Sequence, residues 1–261
     1  MITCEMMGRL CNQMFIAATA YSLAIDNNDK VVFPYTISGI TPTDKETILH
    51  RNTILRNLDY TKDLTFIKNV YIEPPDQSYS AIEYKQDMII RGYFQSEKHF
   101  AHNRQEILDL FRLQVAVISF LKQKYADIIN NKKYTSVHIR RGDYLKYADF
   151  HAIMGKEYYD EAMSRFPKNT KFVFFSDDIE WCKETFGSRH IYIENQEDIL
   201  DLYLMSMIQN NIIANSSFSW WGAWLSEIED KKVLTPPVWF GPKNTHLTMK
   251  DLIPETWEMV E

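Results

Sequence analysis

The chain has 261 residues, a net charge of −6, and 45% hydrophobic and 14% aromatic residues, which is the make-up of an ordinary soluble globular protein. The acidic balance argues against broad electrostatic binding to nucleic acid, so any phosphate site has to be built from a few placed arginines. Cys4, Cys11 and Cys182 are odd in number and far apart, which excludes a disulfide framework and a paired metal knuckle and favours a reducing compartment. No basic segment runs into a long apolar stretch, and no run of about 18 apolar residues occurs. Neither a signal peptide nor a membrane span is expected, the chain is read as cytoplasmic, and the sequon at Asn215 is discounted.

In chain order, the apolar pattern predicts a strand over 2–6, a helix over 13–26 and a strand over 31–33. A loop-rich stretch, 34–87, contains a strand over 70–72, and another follows over 88–93. A long helical stretch over 97–130 comes next, with His99 and His102 placed on it among ordinary surface residues. Two domains are expected, 1–132 and 133–261, with the junction near Lys132. The second reads as β-α alternation: strand 136–139, helix 156–166, strand 171–175, helix 179–186, strand 191–193, helix 197–209, strand 212–214 and helix 218–228. A last strand begins at Val233 and is stopped by Pro236 and Pro237. Such alternation predicts a mainly parallel, doubly wound α/β sheet covered by helices on both faces.

In that architecture ligands bind beyond the carboxyl ends of the strands, where strand order reverses. Four polar clusters fall at such ends: "GRLCNQ" (8–13), "HIRRGD" (138–143), "SDD" (176–178) and "NSS" (215–217). Singly, each is what a helix N-cap requires. Together, with arginines in two of them, they predict a shared anionic ligand. Adjacent side chains on extended backbone point to opposite faces, so Arg140 is expected to face the ligand on the side of His138, with Arg141 bracing the domain. Asp177 and Asp178 are adjacent and should diverge, which argues against joint chelation of a metal. One is expected to accept from a base or sugar hydroxyl and the other to cap helix 179–186. The aromatic run 218–225 is read as helix–sheet packing, with Gly222 allowing close approach.

"HIRRGDY" (138–144) resembles the hallmark motif of the α-1,2-fucosyltransferases of glycosyltransferase family 11, a motif related to one in α-1,6- and protein O-fucosyltransferases. "GRLCNQMF" (8–15), "GYFQSEKHF" (92–100), "FFSDD" (174–178) and "ANSSFSWWGAWLS" (214–226) agree, in the expected order. The resemblance implies a GT-B-like enzyme of two Rossmann-type domains that inverts the anomeric centre and needs no metal. GDP-fucose would be held mainly by the C-terminal domain, in a cleft between the two, and its fucose passed to the 2-hydroxyl of a terminal galactose on a glycan.

By motif, Arg140 would grip the leaving diphosphate beside His138, with Ser216 and Ser217 as the phosphate-contacting pair. Arg9 and Asn12 match the loop that closes over the donor, and Asp177 or Asp178 a guanine or ribose contact. Asp143 is the first candidate for the base on the acceptor hydroxyl and Asp149 the second, while Asp143 serves equally well as a salt bridge fixing the arginines. Tyr93 and Gln95 are placed on the acceptor side. Cys11 stands where the family usually has glycine. No nucleic acid or integral membrane partner is expected, and peripheral association with the inner membrane is left open. The competing readings are a metal-dependent transferase of another nucleotide sugar and a non-catalytic sugar-nucleotide-binding module. An oxidoreductase is disfavoured by the missing G-x-G-x-x-G after the first strand.

Overall fold

The computed structural model describes residues 1–39, 45–129 and 131–261. Two compact units result: Met1–Gln114 with His246–Pro254, and Val115–Thr245 with Glu255–Glu261. The division falls ahead of Lys132, and the segment His246–Pro254 belongs to the first unit despite its position near the end of the chain.

In the first unit, β1 (Ile2–Cys4) leads into α1 (Leu10–Asp26), and then come β2 (Phe33–Pro34), α2 (Lys45–Asn52), β3 (Tyr60–Thr61), β4 (Asn69–Ile72), β5 (Met88–Arg91) and α3 (Arg104–Phe111). The strands β1, β5 and β4 form a parallel sheet in that order, and β2 pairs with β3. β1 is buried throughout and α1 nearly so, because a parallel sheet covered on its faces leaves no strand side for water. Helix α1 begins at Leu10, three residues earlier than the pattern predicts, so Cys11 sits in its first turn. The left-handed position of that motif is Gly8 (φ +70°), which is why a cysteine is accommodated at 11.

The expected helix over 97–130 is broken. Two 3₁₀ turns, Glu97–His99 and Ala101–Asn103, precede α3, and the second unit opens with α4 (Val115–Lys124) and α5 (Ala126–Ile129). Asn130, at the end of that stretch, and 40–44, in the loop-rich region, lie outside the described residues. The break falls at 112–114. Arg112 leaves helical geometry (ψ 125°) while its side chain binds Asp109 of the last turn, and Leu113 turns into the core. His99 and His102 are not on one surface helix. His99 packs against Tyr79 and Phe94, where burial pulls its pKa down to about 4, and His102 binds Asp26.

The second unit continues with β6 (Tyr134–Ile139), α6 (Gly142–Lys146), α7 (Lys156–Ser164), β7 (Lys171–Ser176), α8 (Ile179–Phe186), β8 (Ile191–Tyr192), α9 (Asp198–Ser206), β9 (Asn210–Ile212), α10 (Ser217–Trp224), β10 (Val233–Thr235) and β11 (Glu258–Met259). Six strands make one parallel sheet in the order β11-β10-β9-β6-β7-β8. The core packs Val137, Ile139, Tyr159, Phe174, Cys182, Ile212 and Leu234. Trp220, Trp221 and Trp224 of the aromatic run are buried, and Trp257 meets Trp220, so the run builds core as its spacing predicts. The short α6 is not visible in the apolar pattern because its five residues, GDYLK, are too few to show a period.

Candidate active site

Chain order proceeds outward from β6 through β7 to β8, then returns to the other flank of β6 with β9 and continues to β10. The sheet therefore reverses direction between β6 and β9, which is the topological switch point at which α/β sheets bind ligands. His138 and Arg140 stand at the end of β6, and Asn215, Ser216 and Ser217 follow β9 on the other side of the reversal. Register also pairs Ile139 with Ser176, so Arg140 and Asp177 emerge side by side from β6 and β7.

Arg140 is held by two carboxylates: Nη2 lies 2.6 Å from Asp143 Oδ1, and Nη1 lies 3.0 Å from Asp177 Oδ2. Its guanidinium carbon sits 5.5 Å from the centre of the Tyr144 ring. Arg141 takes the other direction, stacking at 3.9 Å over Trp181 and pairing through Nε with Asp178 at 3.1 Å. The two arginines diverge as extended backbone requires. Asp178 Oδ1 accepts from Trp181 N–H and caps α8, as anticipated for one of the aspartates. Asp177 Oδ1 accepts the Arg141 backbone N–H at 2.9 Å. With each carboxylate already shared between a guanidinium and a backbone N–H, the pair offers a divalent ion no convergent set of oxygens. A Cβ at Gly142 would lie 2.6 Å from Asp177 Oδ2, so a larger residue there would displace a carboxylate that holds Arg140.

His138 is 5% exposed, its Nδ1 has no hydrogen-bond partner among the described residues, and its ring lies 5.4 Å from Phe218. Burial, reinforced by the Arg140 charge, lowers its pKa to about 3, so the ring is neutral at pH 7. Ser216 caps α10 by accepting from Phe218 N–H, and Ser217 is the first residue of that helix.

Two aromatic residues that sequence reading passed over belong to the cluster. Tyr144 on α6 donates to Asn215 O at 3.1 Å, tying the turn after β6 to the turn after β9. His151 stacks on the Tyr144 ring at 4.1 Å and 9°. Asn215 donates to Ala152 O and Trp239 O, both at 2.8 Å, and so anchors the turn. Asp149 lies two residues before His151, is exposed, and pairs with Lys243 at 2.8 Å.

The first unit holds the remaining candidates. Asn12 Oδ1 accepts from Gln95 Nε2 at 2.9 Å, Arg9 is exposed at the N-cap of α1, and Tyr93 gives its backbone N–H to Glu73. Glu73 carried no sequence signal, because its partners lie some twenty residues ahead and are backbone groups.

The chain has a GT-B-like fold: two α/β units, the second with its charged residues gathered at the reversal of a parallel sheet. Solved structures share that fold: fucosyltransferase NodZ from Bradyrhizobium (TM-score 0.55, 12% identity, 85% of this chain and 90% of that one) and POFUT1 in complex with GDP (0.53, 13%, 90% and 97%). The chain belongs to glycosyl transferase family 11, whose model matches residues 1–257. Among its relatives, O-antigen biosynthesis glycosyltransferase WbnK of Escherichia coli is 35% identical over 188 residues, covering 66% of this chain and 62% of that protein. An α-1,2-colitosyltransferase of Escherichia coli is 28% identical over 100% of this chain and 99% of its own length. Galactoside 2-α-L-fucosyltransferase SEC1 of Bos taurus is 28% identical over 84% of this chain, which spans 62% of that protein.

Proposed function

We propose that the protein is an inverting, metal-independent galactoside α-1,2-fucosyltransferase that moves fucose from GDP-fucose to the 2-hydroxyl of a terminal galactose. The observation that carries this is Arg140 at the sheet reversal, its guanidinium fixed by Asp143 and Asp177. As the fucosyl–oxygen bond breaks, negative charge grows on GDP, and a guanidinium already held in place needs no reorganisation to meet it. The N–H groups at the start of α10, beside Ser216 and Ser217, add fixed positive dipole toward the same diphosphate. His138, kept neutral, offers a hydrogen bond without competing charge. Asp177 and Asp178 hold the arginines and remain candidates for guanine or ribose contact. Asp143 either takes the acceptor proton or serves only to fix Arg140, and Asp149 is the second candidate base.

In this reading residues 133–261 bind the donor and the N-terminal domain shapes the acceptor side with Tyr93 and Gln95, while its loop 8–12 contributes Arg9 and Asn12 to the donor. The reaction is placed in the cytoplasm, where GDP-fucose is the donor partner and a galactose-ended glycan the acceptor. Among the described residues no helix is long and apolar enough to cross a membrane.

Labelled GDP-fucose incubated with a β-galactoside tests the proposal. Transfer is expected, and Arg140→Ala should abolish it, by ~10²–10³-fold or more in kcat, while the protein stays folded. Binding of GDP without transfer would leave a non-catalytic module. A second reading rests on the full-length match to a colitosyltransferase. Running GDP-colitose and GDP-fucose in competition decides the donor by the ratio of kcat/KM values.

A further inference from the structure

Three parallel strands of the first unit end side by side, with Cys4 paired to Ile90 and Ile72 to Arg91. Each leads into further structure: Gly8, Arg9 and the first turn of α1 after β1, the turn 92–95 after β5, and Glu73 directly after β4. Glu73 is 8% exposed. Its carboxylate divides its two oxygens between successive backbone donors, Oε2 accepting from Tyr93 N–H and Oε1 from Phe94 N–H, each at 2.7 Å. Among the described residues no cation pairs with it, so these two N–H groups are what meets the buried charge. Burial raises the carboxyl pKa, and the two donors oppose the shift.

The clamp holds a turn that would not keep its shape alone. Gly92 has φ +150°, and a Cβ there would lie 2.3 Å from Glu73 Cβ, so only glycine lets the carboxylate reach the following N–H groups. Phe94, fully buried, sits at φ +51°, an uncommon and strained conformation for a bulky residue. The next residue is Gln95, whose Nε2 reaches Asn12 Oδ1 at 2.9 Å. Asn12 in turn lies against Gly8, where a Cβ would meet its Nδ2 at 2.6 Å, and Gln13 Nε2 closes the loop on Gly8 O at 2.8 Å. A continuous path of bonds therefore runs from Glu73 through the turn and Gln95 to the loop that carries Arg9.

We infer that Glu73 is a positioning residue: by clamping the turn 92–94 it aims Gln95 at Asn12 and braces the start of α1, with its N-cap, in the arrangement that presents Arg9 and Asn12 to the donor. The role in donor binding rests on the functional reading above, whereas the mechanical coupling does not.

The test compares Glu73→Gln, Gln95→Ala and the double variant with wild type. Glutamine has the shape of glutamate but only one acceptor oxygen, and its amide would face a backbone N–H, so one of the two clamping bonds is lost. Amide hydrogen exchange over 8–14 in the free protein should quicken about tenfold in each single variant, the size of one buried hydrogen bond. GDP affinity and donor KM should weaken about tenfold, and the double variant should be no worse than Gln95→Ala, since residues acting on one path are not additive. Exchange over 8–14 that stays at the wild-type rate while 92–95 quickens would overturn the inference, as would additive losses. Should Glu73→Gln fail to fold, Gln95→Ala decides, and unchanged exchange and GDP affinity there would overturn it. A wild-type protein that binds GDP yet moves no fucose removes the proposed reaction and leaves this test intact, because neither exchange nor GDP affinity needs turnover.

Discussion

At the scale of the residue, the site is a balance of charge around Arg140. Asp143 separates two roles that Asp143→Asn distinguishes: asparagine can still accept from the guanidinium but cannot take a proton. Loss of transfer with GDP affinity unchanged would assign Asp143 the base, whereas a parallel fall in GDP affinity would assign it the salt bridge. His138 makes a pH prediction. Its folded pKa of about 3 lies below the ordinary 6.5, so from about pH 6.5 downward the unfolded chain binds a proton that the folded one refuses. Its contribution is present in full above pH 6.5 and erodes toward pH 3, by at most ~1.4 kcal/mol per pH unit. Urea midpoints between pH 4 and 7 should fall less steeply for His138→Gln than for wild type. The divergence of Arg140 and Arg141, and the capping of α8 by one of the two aspartates, were legible in the sequence because both follow from local backbone geometry. Tyr144, His151 and Glu73 were not, since their meaning comes from groups brought near by the fold.

At the scale of the element, the close approaches differ in what must yield. A Cβ at Gly222 of α10 would meet the Met205 side chain of α9, its nearest atom Cε at 2.9 Å, and a methionine end can move. At Gly241 a Cβ would meet three backbone atoms of 148–151 at 2.7–2.8 Å, in the segment that carries His151. Gly241→Ala should therefore cost more than Gly222→Ala, ~1–3 kcal/mol against less, read by urea denaturation, and should disturb the Tyr144–His151 stack. Helix α9 supplies a second pH test. Burial, aided by Asp198 and opposed by the Gln196 bond, lifts the Asp201 carboxyl to about 7 from an ordinary 3.8. Because the folded pKa is the higher, the stabilisation is whole below about pH 4 and lost as pH rises through 7. Asp201→Asn should match wild type near pH 4 and melt higher at pH 8. The four β-α repeats of the second unit were readable because parallel strands are short, apolar and bounded by polar turns. The break near 112–114 was not, because the apolar spacing continues across it.

At the scale of the whole molecule, the reversal of strand order concentrates the charged turns of one sheet, where the Asp177 and Asp178 carboxylates are taken up by Arg140, Arg141 and backbone N–H groups. Transfer should accordingly persist in excess chelator and gain nothing from added Mn²⁺, and a loss restored by the ion would point to a metal-dependent transferase instead. Doubly wound topology was legible from alternation alone, whereas the division of the chain was not, because no linker composition marks Gln114.

The path of the backbone through the two units has a practical side. It crosses after Gln114, again after Thr245 and a third time after Pro254, with Lys98 bonded to Asp251 at 2.7 Å in the first unit and β11 paired to β10 in the second. Cutting the gene at 114 would not yield two autonomous halves: the leading fragment would lack the patch that meets Lys98, and the trailing one would carry it as an orphaned loop. Anyone dissecting the protein should graft 246–254 onto the leading piece, or keep the polypeptide whole.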